Sequence, residues 1–388
     1  MNYKKVLGAA SAALMIAIAI LILTPGAGAQ GKYKTLHKFK GSDGNYPQWN
    51  LTFDATGNLY GAACGGGAHG NGVVFQLAPN SDGSWRESAL HVFTGGADGG
   101  CPNGGLVFDA AGNLYGASWS GGAYGGGTVF ELTPNPDKTW TESVLYDFTG
   151  GLDGSVPAAP LIIDAQGDLY GTALYGGTGW GVVFKLTPNS GGTWTQSVLY
   201  TFAGTPDLGH AEGNVIFDAA GNLYGTAYEG GSAKCGGGGC GGVFKLAPSQ
   251  NGTWTESVLH RFNGADGADP QGGLVFDANG DLYGATVWSG HFGGCGNNRC
   301  GTIFELTPNP DGTWAIHFPH RFTGGKDGGS SSATWHSTPQ GTSMAQGIWA
   351  APMDTALCSN WRPSRLGAGR RRCSTPSRTP PEPTRRTA

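Results

Sequence analysis

From about residue 40 to residue 325 the chain is written in short apolar runs cut by Gly, Asn, Asp and Ser. One unit, starting at Pro160, shows the pattern: "PLIIDAQGDLYGTALYGGTGWGVVFKLTPNSGGTWTQSVLYTF". The runs have strand length, and the breakers divide the unit into four strands. "LIID" is apolar throughout, as expected of a strand buried on both faces. "AQG" turns the chain into "DLYGTA", and a Gly-rich loop leads on to "VVFKLTP". "NSGG" then reverses it into "TWTQSVLYTF", whose polar–apolar alternation predicts one wetter face. No segment between residues 30 and 329 follows the period of a helix.

The unit recurs. The first Gly of "G-[ND]-L-Y-G" falls at Gly57, Gly112, Gly167, Gly221 and Gly280, at spacings of 55, 55, 54 and 59 residues. Four antiparallel strands repeated at this period make propeller blades, each too thin to bury its own faces. Packed side by side, they cover the recurring Phe, Leu, Val and Tyr, at roughly 1.5–3 kcal/mol for each large side chain fully buried. A stacked solenoid is the competing fold, but its coils are shorter and mostly parallel. The expected fold class is therefore an all-β propeller of four-stranded antiparallel blades. Five blades are in frame, at about residues 49–93, 105–148, 160–202, 214–262 and 273–322. "YKTLHKF", residues 33–39, reads as an orphan fourth strand that would close a ring.

The unit "FDAAGNLYG…GG…GTVFELTP…VLYDF" resembles the GloVer-type tandem repeats of exported bacterial proteins, and "FDAAGNLYG" is similar to the hairpin of NHL-like and SBBP-like propeller repeats. The likeness spans residues 33–327. It implies an extracellular, propeller-like repeat domain followed by one of several surface anchors. It implies no assigned activity and transfers no catalytic residue. No such anchor is visible in this sequence.

The two ends follow different rules. Lys4 and Lys5 precede an apolar run from Val6 to Leu23, and "AGA" at Ala27–Ala29 offers small residues for cleavage. This predicts a signal peptide over residues 1–29, with export and no membrane span after cleavage; an uncleaved anchor is the alternative. Beyond residue 330 the repeat disappears, and the genetic code suggests why. Ser337–Gln346 admits the codons TCG ACG CCG CAG GGA ACC TCT ATG GCA CAG. Read one base earlier, from the last base of a CAT codon for His336, they spell "FDAAGNLYGT". Met353–Pro363 and Gly369–Ser377 likewise permit "GYGTVFELAP" and "TETVL", the third and fourth strands. Met344, Met353 and Trp361 have single codons, and each donates the G that the shifted frame requires. Residues 330–388 are thus expected to be the frame-shifted remnant of a sixth blade, disordered, with the anchor out of frame.

Charge then changes the picture. The Arg-rich tail around Arg370–Arg372 resembles a nucleic-acid patch, but without the signal and tail 13 basic and 25 acidic residues remain, a net charge of −12. That excludes nucleic acid as a partner. Cysteine usage fits an oxidising compartment. Cys235–Cys240 and Cys295–Cys300 are each separated by four residues and read as small disulfide loops, while Cys64 and Cys101 could bridge neighbouring repeats. Metal is not expected, because no His lies at ligand spacing, and no cofactor motif is present.

Candidate chemistry is sparse. Asp54, Asp109, Asp164, Asp218 and Asp277 stand in "D-A-x-G-[ND]" turns, where Asp supplies hydrogen bonds to the backbone. His37, His91, His260 and His320 alternate with Tyr146 and Tyr200 at one strand position, which favours packing over catalysis. Trp119, Tyr124, Tyr175, Trp180, Tyr228, Trp288 and Phe292 lie on loops expected to share one rim. Their rings suit stacking on a sugar or embracing a peptide. Because Trp119, Tyr175, Tyr228 and Trp288 recur at similar offsets, packing against the next blade is their default role; Trp180 and Phe292 break the pattern and are the better binding candidates. His69, His210, Glu212, Glu229 and His291 are unmatched between repeats and form no recognisable pair or triad. The sequence thus reads as a secreted or cell-surface monomer, a non-catalytic binding module for a glycan or protein. A structural envelope protein and a propeller lyase or glycosidase are the alternatives, and convergence of the unmatched residues would favour the enzyme.

Overall fold

The computed structural model describes residues 35–288, 300–323, 329, 335–337 and 343–345. All of its sheets lie in the unit Leu36–Ala388. Residues 1–34, which include the expected signal peptide over residues 1–29, together with His291, Phe292 and Cys295, lie outside the described residues.

The fold is all-β and propeller-type: repeated antiparallel sheets stack in sequence order. In the third blade Leu169–Tyr175 pairs with Val182–Pro188, which pairs with the outer strand Trp194–Thr201. The inner strand differs from the expected single "LIID". It is split into Ser155–Pro157 and Ile162–Ile163, both paired with Leu169–Tyr175, and the two isoleucines are half-buried rather than covered on both faces. The break follows from Val156, whose φ of 59° is left-handed, and from Pro157 and Pro160, which cannot donate to a ladder. The first blade starts accordingly at Asn45, ahead of the expected boundary.

Side chains explain why the sheets must stack. One core cluster joins Tyr170, Val183 and Phe202 of the third blade to Val215, Leu223, Phe244 and Leu246 of the fourth. The same arrangement links blades one and two, two and three, and four and five. At each seam two buried phenylalanines meet edge to face: Phe93 with Phe130, Phe148 with Phe184, Phe202 with Phe244, and Phe262 with Phe304, at centroid distances of 5.1–5.2 Å. The Gly of "LYG" makes room for the third-strand ring. A Cβ on Gly171 would stand 2.7 Å from Phe184 Cζ, closer than real contacts allow.

Of the segment expected as an orphan fourth strand, residues 35–39 are described. Residues 35–40 carry no strand hydrogen bonds, because no third strand lies beside them among the described residues. Their side chains nevertheless occupy the place of a fourth-strand end. Phe39 meets Phe75 at 5.0 Å, and Leu36 packs on the first blade's core. At the other end most of the expected frame-shifted tail, residues 330–388, lies outside the described residues. Among those described, Trp335–Ser337 pairs antiparallel with Ser343–Ala345.

The turn aspartates are structural, as their chemistry suggests. Asp164 Oδ1 accepts from the Gln166 and Asp168 amides, and Oδ2 accepts from the Tyr170 hydroxyl at 3.0 Å. Asp54, Asp109 and Asp218 repeat this arrangement. The His/Tyr position is equally structural. His37, His91, Tyr146, Tyr200 and His260 each contact the aspartate of the following loop: Asp43, Asp98, Asp153, Asp207 and Asp266. Either residue type supplies a polar atom at the end of a flat ring, which is why the two interchange.

Candidate functional site

One backbone register organises the rim. Eleven residues before each turn Gly stand Tyr46, Cys101, Val156, His210 and Asp269, and all five have φ between 52° and 59°. Four of their amides donate to the loop of the preceding blade: Cys101 to Asn71 O, Val156 to Gly126 O, His210 to Trp180 O, and Asp269 to Cys240 O, at 2.7–3.2 Å. The kink is thus held by inter-blade bonds, and side-chain identity there is free. The second strands end beside this register. Cys64 reaches Cys101 from there, so the disulfide between neighbouring repeats is present and joins the first blade to the second. Cys235–Cys240 closes the expected small loop in the fourth blade. Cys300 is also disulfide-bonded.

In the fourth blade this register gathers chemistry. His210 Nδ1 lies 2.7 Å from Glu229 Oε2, and Nε2 lies 3.3 Å from Gly179 O. Three rings surround the imidazole. Tyr228 stacks on it at 5.5 Å, Tyr175 meets it edge-on at 5.1 Å, and Trp180 leans over it at 5.0 Å. Two residues after His210, burial pushes the Glu212 carboxyl up to about 7, and Asp269 adds to the shift. Burial and then Glu229 push Asp269 up to about 6. The Tyr228 phenol is raised by burial, with Tyr175, Glu229 and Glu212 contributing. Three carboxyls, one imidazole and three aromatic rings therefore share one neighbourhood, contributed by blades three, four and five. Tyr175 is 45% exposed and opens it to solvent.

Of the five unmatched residues, His210, Glu212 and Glu229 converge here. His69 lies on an exposed loop of the first blade, and His291 lies outside the described residues. Both His210 nitrogens face acceptors within the protein, so the ring serves as a hub that fixes its neighbours. Asp269 was not legible as a site residue, although the 59-residue spacing places it in His210's register. The aromatics divide. Trp119 and Tyr228 stand five residues after the Leu of "LYG", whereas Tyr175 and Trp288 stand six after it. Tyr175 and Tyr228 join the cluster, Trp119 is 36% exposed elsewhere on the second blade, and Trp288 packs on the core between blades four and five. Trp180, expected to be a binding ring, packs instead on the core between blades three and four; its indole fills the space a Cβ on Gly204 or Gly209 would need. Among the described residues no group of three or more His, Cys, Asp or Glu is arranged to hold a metal ion.

Two solved structures and one family model are similar to this chain. A structure from Thermus thermophilus, a candidate oxidoreductase (glucose dehydrogenase), shares 15% identity over 84% of this chain and 96% of its own, with a TM-score of 0.45. A protein of unknown function from Dyadobacter fermentans shares 12% identity over 84% of this chain and 94% of its own, with a TM-score of 0.49. Likeness at this level carries no argument about activity. No curated protein is similar in sequence. The model of the Gloeobacter/Verrucomicrobia repeat matches residues 20–179 and again 138–345. Together these matches span the blades, and the chain belongs to the Gloeobacter/Verrucomicrobia repeat family.

Proposed function

We propose that the chain is an exported, non-catalytic binding module whose rim site around His210 takes a glycan. The observation that carries this reading is the exposed Tyr175 ring set edge-on against His210, whose Nδ1 meets the Glu229 carboxyl. A phenol ring offers a flat face for the C–H side of a sugar, and carboxyls accept hydrogen bonds from its hydroxyls. The Lys4–Leu23 signal pattern and the disulfides support export to an oxidising space. Among the described residues no helix is long and apolar enough to cross a membrane. Glycan-array binding by the mature protein, starting at Gln30, tests the reading. Specific binding that Tyr175→Ala and Glu229→Gln both weaken at least tenfold supports it. Array signals at background would instead favour an envelope protein without a small ligand.

A propeller lyase or glycosidase is the second reading, favoured by the convergence of His210, Glu212 and Glu229. A carboxyl poised near 7 can exchange a proton at neutral pH. The engagement of both His210 nitrogens weighs against it. Product chromatography on any bound glycan separates the two readings, since turnover abolished by Glu212→Gln requires the enzyme.

A further inference from the structure

The outer strands carry a row of carboxyls that the rim site does not use. Two residues after the Trp that opens each outer strand stand Glu87, Glu142, Gln196, Glu256 and Ile316. In the third blade Gln196 Nε2 donates to the main-chain oxygen of Asp153 at 3.1 Å. Asp153 belongs to the loop entering that blade, and its carboxylate accepts from Tyr146 and from the Thr149 amide at the end of the preceding one. The Gln196 bond therefore stitches the second blade to the third.

Glu87, Glu142 and Glu256 hold the same register in their own blades, near Asp43, Asp98 and Asp207. In all three the Oε1 atom is buried without a hydrogen-bond partner. An ionised carboxylate would leave that buried oxygen without a donor, whereas a neutral acid could donate as the Gln196 amide does. We propose that Glu87, Glu142 and Glu256 are held as neutral carboxylic acids that donate across the blade seams in the manner of Gln196, so that adhesion between blades is controlled by pH. The last seam, with Ile316, lacks the device.

The surrounding charges agree. Burial raises Glu142 to about 7, with Asp98 and Asp147 adding to it. Burial raises Glu256 to about 7, with Asp207 adding and Arg261 opposing; the Tyr200 phenol also faces it. Burial raises Glu87, with Asp43 adding and His37 opposing. A carboxyl raised on folding stabilises the fold fully below its ordinary range. That contribution is lost as pH climbs through about 7 for Glu142 and Glu256.

Urea denaturation of the full chain, followed by Trp fluorescence between about pH 5 and about pH 8, tests the proposal; each group can lower the folding constant at most about tenfold per pH unit. The E142Q/E256Q variant carries permanent donors. Its midpoint should exceed that of the wild type at about pH 8 and vary less with pH. Q196E should add a loss on raising pH that the wild type lacks at that seam. A double-variant profile parallel to the wild type, or lower at the alkaline end, would overturn the proposal, as would Q196E with unchanged pH dependence.

Discussion

Replacing Phe202 by alanine removes a ring from the seam between the third and fourth blades. The ring is fully buried, shares its cluster with Val215, Leu223 and Leu246, and meets Phe244 at 5.2 Å and 67°. A buried Phe→Ala change combines lost transfer energy with the cavity left behind, so the expected cost is about 4 kcal/mol. The Phe202/Phe244 pair should itself show a coupling of about 0.5–1.5 kcal/mol in a double-mutant cycle. Urea unfolding followed by Trp fluorescence reads both quantities, with constant m required for the comparison. Phe53→Ala is the control: that ring is 66% exposed and should cost little. A Phe202→Ala loss below about 1 kcal/mol at unchanged m would refute blade-on-blade stacking as the source of stability.

Gly171→Ala should destabilise by about 1–3 kcal/mol through overpacking against Phe184 and Leu161, measurable in the same titration. Reducing the Cys64–Cys101 bridge should cost up to about 4 kcal/mol on the chain-entropy model, and non-reducing peptide mapping should recover the linked peptides. Asp218→Ala removes acceptors for the Ala220 and Asn222 amides and the Tyr224 hydroxyl, and should cost about 2 kcal/mol by thermal or urea unfolding. Sequencing the gene across the codons for Asp327–Ser337 should reveal the displaced base, and a frame-restored protein should unfold at higher urea than this chain; an intact frame would refute the sixth-blade remnant.

The second, third and outer strands were legible because their apolar positions recur with period two between strong turn residues. The inner strand was not. Its halves are two or three residues long, and its kink falls on Tyr46, Cys101, Val156, His210 and Asp269, which share no chemistry. Inter-blade amide bonds hold that conformation at four of the five positions, and such bonds leave no mark on composition. His210, Glu212 and Glu229 stood out because the other repeats lack them. Their meeting with Tyr175 and Asp269 was not visible, since three different blades supply the partners. Trp180 stands at a position held elsewhere by Asn71, Gly126 and Cys240, and its packing above Gly204 and Gly209 depends on glycines distant in sequence, so that contact was not visible either.

The left-handed register has a consequence for how such a protein can diversify. Because the same left-handed backbone recurs at all five positions whatever the side chain, each repeat offers one interchangeable seat whose occupant the scaffold does not dictate. A phenol, a half-cystine, an aliphatic, an imidazole and a carboxylate sit there in turn within a single molecule. New recognition chemistry could therefore be tried one seat at a time, without renegotiating the packing beneath.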